Sequence, residues 1–97
     1  MMIHNVYAVY DEASKLFKYD FKRSRHGEAS RFFSDAVQSK GTELHCHPHD
    51  FSLFYLAQYD DETGRFSNLD IPERISRAID FVGVEPKEAP NGGGNRT

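Results

Sequence analysis

The sequence predicts an α+β domain of the order ββα-ββα, with a four-stranded, mainly antiparallel sheet and two helices on one face. Three patterns support this: two pairs of strand-like runs joined by short polar turns, two stretches with helical spacing of apolar residues, and a likeness between the halves. The chain has 97 residues, of which 38% are hydrophobic and 28% charged. That is enough for one core and too little for two, and the balance is that of a globular protein rather than a disordered one. Residues 1–84 are therefore expected to form a single domain.

Ile3 to Asp11 is rich in Val, Tyr and Ile, with apolar residues at both parities, as in a strand covered on both faces. Asp11-Glu12-Ala13-Ser14 is turn-like. Leu16 to Phe21 then alternates apolar and charged residues and completes a hairpin, so that strict alternation puts Phe17, Tyr19 and Phe21 on one side. A basic loop, Lys22 to Gly27, leads to Glu28–Gln38. There Ala29, Phe32, Phe33, Ala36 and Val37 fall at i, i+3, i+4, i+7 and i+8, which predicts a helix with Glu28 in its first turn and Gly41 just past its end.

After a loop containing Pro48, Phe51 to Tyr59 is apolar at nearly every position and reads as a central strand. Asp60 to Gly64 is a hairpin turn, and Arg65 to Leu69 a short return strand. Asp70 and Glu73 have capping-box spacing, Pro72 suits a first helical turn, and Ile71, Ile75, Ala78, Ile79 and Val82 mark one face of a second helix. Residues 85–97 hold two Pro and three consecutive Gly with almost nothing apolar, and are expected to be a flexible tail. Tyr10-Asp11 and Tyr59-Asp60 both end strands, and Phe17 and Phe66 both sit in return strands. Sequential antiparallel strands with both helices on one face would cover such a pattern.

The formal net charge of -3 gives no global attraction to phosphate, so nucleic-acid binding would need a local basic patch. One exists. Lys18, Lys22, Arg23, Arg25, His26 and Arg31 lie beside Phe17, Tyr19 and Phe21 in the sequence, and cations next to aromatic faces are the ingredients of single-strand binding. The predicted nucleic-acid-binding residues are Lys18, Tyr19, Lys22, Arg23, Arg25, His26 and Arg31, with Arg23 and Arg25 expected to contribute to the salt dependence. Against this stands a solvated hairpin edge, guarded from aggregation by its Lys and Arg.

His45-Cys46-His47-Pro48-His49-Asp50 contains competent zinc ligands, and in an extended segment His45, His47 and His49 would share a side. Structural zinc sites draw on two separated clusters, however, and here only His26 or His4 could stand for a second, so no metal or other cofactor is expected. No nucleophile elbow, glycine-rich phosphate loop or helical His-Glu-x-x-His is present, and no catalytic residue is assigned. Asp60, Asp61 and Glu62 read as a solvated turn. A single cysteine, Cys46, makes no internal disulfide, and no apolar run approaches a bilayer span. Both suit a reducing cytosol and no membrane insertion.

Several blocks in one order resemble the small nonstructural protein of gokushoviruses, tailless phages of the Microviridae with circular single-stranded DNA genomes. They are Tyr7-Ala8-Val9-Tyr10-Asp11; Ala29-x-Arg31-x-Phe33-x-Asp35-Ala36-Val37; His47-Pro48-x-Asp50-Phe51-x-Leu53-Phe54; Asp60-Asp61-Glu62-Thr63-Gly64-x-Phe66; and Ala78-x-Asp80-Phe81. The similarity runs from about Tyr7 to Val82. It implies a non-enzymatic, DNA-binding phage protein that acts in single-strand synthesis or packaging in the bacterial cytoplasm. No catalytic residue carries over with it. This chain departs from that family's pattern at Tyr19-Asp20-Phe21 and the basic residues that follow, and His45 and Cys46 lie outside the shared element. The expected partner is single-stranded DNA. The alternative is a protein-interaction factor that acts on phage or host replication and assembly proteins, as a homodimer formed through the sheet face the helices leave bare.

Overall fold

A computed structural model describes residues 2–83, and the predicted tail at 85–97 lies outside them. Strands β1 (Ile3–Asp11), β2 (Leu16–Arg23), β3 (Phe51–Asp60) and β4 (Arg65–Arg77) form one sheet in the order β2-β1-β3-β4, with every neighbouring pair antiparallel. The fold is α+β, with β1 and β3 central. Between the two hairpins lie α1 (His26–Gln38), the short α2 (Glu43–Cys46) and a 3-10 turn, Pro48–Asp50.

Both hairpins use the same turn. The Asp11 carboxylate accepts the Ala13 N–H at 3.0 Å, and the Lys15 N–H donates to the Asp11 carbonyl at 2.8 Å with Lys15 at φ 63°. In the second, the Asp60 carboxylate accepts the Glu62 N–H at 2.9 Å, and the Gly64 N–H donates to the Asp60 carbonyl at 2.8 Å with Gly64 at φ 75°. An Asp side chain bonding the backbone two residues on is what favours Asp at this point. Glycine meets the left-handed position without strain; Lys15 does not.

The core lies on one face of the sheet. Tyr7 and Val9 of β1 and Phe51 and Leu53 of β3 pack against Ala29, Phe33 and Val37 of α1, Leu44 of α2 and Ala78. The periodic apolar residues of α1 thus do what their spacing requires, except Phe32, which stays about half-exposed at the flank. The α1 C-terminus is closed by Ser39, whose N–H donates to the Ala36 carbonyl at 3.2 Å and whose hydroxyl donates to the Asp35 carbonyl at 2.9 Å. Thr42 caps α2 by accepting the His45 N–H at 3.1 Å.

Three expectations are corrected. The second helix is not at Ile71–Val82: β4 continues to Arg77, and only a 3-10 turn, Ala78–Phe81, follows. A return strand ending at Leu69 would have left the backbone of Ser52 to Tyr55 unpaired along one side of a central strand, and such groups are costly to leave without partners. Arg77, Ser76, Arg74 and Glu73 pair with them instead. Pro72, read as a first helical turn, sits where β4 bulges away. Between Tyr55↔Glu73 and Ala57↔Asn68 the edge strand carries extra residues, and Ile71 there is 77% exposed. The second helix on the core face is α2, within what the sequence suggested was a loop.

Phe17, Tyr19 and Phe21 do not share a side either. Phe17 pairs with Tyr10 and Lys18 with Val9, but Phe21 pairs with Tyr7, so β2 has one extra residue, at the point where Tyr19 adopts φ 56°. The bulge breaks the alternation on which the shared side depended. The chain from His45 to Asp50 is not extended: it forms the end of α2 and a 3-10 turn, with the His45 ring 3.0 Å from the Val37 carbonyl.

Candidate nucleic-acid interface

Residues paired across antiparallel strands project to the same side, so the register assigns each side chain to a face. The face opposite the helices receives His4, Val6, Ala8 and Tyr10 from β1, and Phe17 and Lys22 from β2. From β3 and β4 it receives Ser52, Phe54, Ala57, Tyr59, Phe66, Asn68, Arg74 and Arg77. Every acidic or basic strand residue assigned to it in this way, histidine aside, is a cation: Lys22, Arg74 and Arg77. A chain with a net charge of -3 thus gathers three cations on one sheet face, where Asp61 is bonded to His4 and Asp80 is paired with Arg77.

The rings on that face form two clusters. At one end Tyr10, Phe17 and Phe54 have centroids 4.8, 6.0 and 5.5 Å apart, with Phe54 edge-on to the other two. At the other, Tyr59 lies 4.9 Å from Phe66 and 6.3 Å from His4, and the Lys22 ammonium sits 4.6 Å above the Tyr59 ring. Phe17 is 46% and Phe66 58% exposed. Between the clusters lie Ala8 and Ala57, small and buried. Tyr10 and His4 are six positions apart along β1, roughly 20 Å at the rise of a strand.

Of the residues named from sequence, Lys22 alone is assigned to this face. Lys18 points to the helix side, where its ammonium meets Asp11 at 3.0 Å and Glu43 at 3.6 Å. The hydrogen bond to Lys18 holds the Asp11 carboxyl below its ordinary range and raises Lys18 in turn. The Tyr19 hydroxyl donates to Glu43, which raises its pKa. Arg23 stacks its guanidinium 5.3 Å from the Phe21 ring and 4.5 Å from Phe32. Arg25 is the exposed N-cap of α1, and Arg31 is exposed on that helix. The His26 ring shares a 2.5 Å hydrogen bond with the Tyr7 hydroxyl and stands edge-on to Tyr7 and Tyr55. Burial is the main reason the Tyr7 hydroxyl is raised above its usual pKa.

The predicted patch thus wraps the β2 edge, with Lys22 on the bare face and Lys18, Tyr19 and Arg23 on the other. Sequence reasoning missed Tyr10, Phe54, Tyr59, Phe66, Arg74 and Arg77. The last two were hidden by the helix predicted over them. A strand reading of Ile71–Arg77 would have set Arg74 and Arg77 in the sheet, but their place beside Phe54 and Ser52 depends on the shifted register of β4 against β3.

No three His, Cys, Asp or Glu side chains gather as a metal site among the described residues, and no helix among them is long and apolar enough to cross a membrane. No curated protein and no solved structure matches the chain. A family model described as Phage ORF5 protein matches residues 4–81.

Proposed function

This chain belongs to the phage ORF5 protein family, and on that premise we propose that it is a non-enzymatic single-stranded DNA-binding accessory factor, of the gokushovirus kind, acting in genome replication or packaging in the host cytoplasm. The observation that carries the reading is the bare sheet face, where exposed aromatic rings stand beside Lys22 and Arg74, two cations without a carboxylate within ion-pair distance among the described residues. Bases stack on such rings whatever their sequence, and Lys and Arg neutralise the phosphates between them. A duplex keeps its bases stacked and offers no ring faces, so the preference is for single strands.

The same exposed rings suit a second copy of the chain, which is the alternative reading. A two-fold contact through this face would bring Lys22, Arg74 and their symmetry mates together, and like charges at an interface cost several kcal/mol in discrimination, at about the scale seen for wrong partners. A polyanion relieves that repulsion.

Fluorescence anisotropy with a labelled single strand tests the proposal. Phe17→Ala and Phe66→Ala are the appropriate variants, because both rings are exposed and the core does not depend on them. Each is expected to weaken binding by about 1–3 kcal/mol, the range for a lost base-stacking partner. Affinity unchanged in both variants, or a wild-type protein that binds duplex better than single strand, would refute it.

A further inference from the structure

On the helix side of β2 there is a cleft of about 430 Å³, within the usual range for ligand sites. Val9, Phe21, Phe33 and Leu44 line it, and Tyr19 and Phe32 stand beside them about half-exposed. One acid lines this apolar space, Glu43. Its Oε2 takes both the Tyr19 hydroxyl and the Lys18 ammonium, while Oε1 makes no hydrogen bond or ion pair among the described residues. The Arg23 guanidinium lies 4.5 Å from the ring of Phe32, one of the residues lining the cleft, and Arg23 follows Lys22 directly in the strand. Since consecutive strand residues project to opposite faces, a nucleic acid leaving the bare face at Lys22 need only round the β2 edge to meet a cation and an aromatic recess.

We propose that this cleft receives one unstacked nucleobase and that Glu43 selects it by its Watson–Crick edge, guanine above all. The proposal rests on the nucleic-acid reading above. Guanine offers two adjacent donors, N1–H and N2–H, to a carboxylate whose oxygens each accept more than one hydrogen bond. Thymine presents a single donor, N3–H, flanked by two carbonyl oxygens, so it offers the acid one hydrogen bond where guanine offers two and sets a carbonyl against the carboxylate. Phe32 and Tyr19 supply ring faces for the base, and Arg23 holds the adjoining phosphate.

The experiment compares a short thymidine oligomer with the same oligomer carrying isolated guanosines, on the wild-type protein and on Glu43→Gln. Wild type is expected to prefer the guanosine-bearing strand by on the order of tenfold, the worth of a good two-point base contact. Glu43→Gln should lose that preference and keep its affinity and salt dependence for plain thymidine. Equal wild-type affinity for the two oligomers, with salt-dependent binding intact, overturns the base pocket and leaves the sheet-face reading standing. No binding of either overturns both. A readout free of variants is the ring spectrum of Phe32 and the methyl signals of Leu44 in the wild-type protein during titration with guanosine monophosphate. Shifts there, absent with thymidine monophosphate, support the pocket, and their absence with both overturns it.

Discussion

Replacing Lys22 and Arg74 together by alanine should change how binding responds to salt more than how the protein folds. Both side chains are exposed, and neither lies within ion-pair distance of a carboxylate among the described residues. Arg77, the third cation of the face, is 3.5 Å from Asp80. If Lys22 and Arg74 each neutralise one phosphate, they should together contribute about -1.4 to the slope of log K against log salt for a single strand, since each contact contributes about -0.7. The double variant should lose that share of the slope. Anisotropy titrations across a salt series give both slopes. Lys18→Met is the contrasting variant: its ammonium is already neutralised by Asp11 and Glu43, and the slope should hardly move. An unchanged slope in the double variant, or a collapse in Lys18→Met alone, would show that phosphates are not met on the bare face.

Phe33→Ala should lower folding stability by about 3–5 kcal/mol, the usual cost of emptying an aromatic site in a core, read from the shift of a denaturant midpoint. Gly64→Ala meets open space but forces a side chain into a left-handed backbone, so it should cost about 1 kcal/mol in the same assay, and a null effect would contradict the turn geometry. The Asp11 and Asp61 carboxyls are held below their unfolded values, by Lys18 and by His4 respectively. Their contribution is present above the ordinary aspartate range and lost as pH falls through the lower folded values. Thermal stability should therefore drop on acidification below about pH 4. Asp11→Asn should flatten that drop.

Much of the fold was legible in the sequence, because β1, α1 and β3 carry long, consistent patterns, and the Asp-initiated turns bond their own backbone. The side on which each ring lies was not. One inserted residue at Tyr19 sends Phe17 to one face and Phe21 to the other, and no periodicity announces a bulge. The stretch after Asp70 failed for a different reason. Isoleucines spaced by four fit a helix, and the need to pair the backbone of β3, which is what decides for a strand, is a tertiary demand. α2 was invisible because four residues carry no period. The candidate interface was accordingly seen only in part: Lys22 and Phe17 were plain, while Tyr10, Phe54, Arg74, Arg77 and the pairing of Tyr59 with Phe66 depend on which strands meet.

The most direct measurement is a residue-resolved NMR titration of the protein with a short single-stranded oligonucleotide. Ring signals of Tyr10, Phe17, Phe54, Tyr59 and Phe66, with the side chains of Lys22 and Arg74, should move together and saturate at one concentration. Shifts confined to α1 and the loop beyond it, with those rings unmoved, would contradict the sheet face as the binding surface.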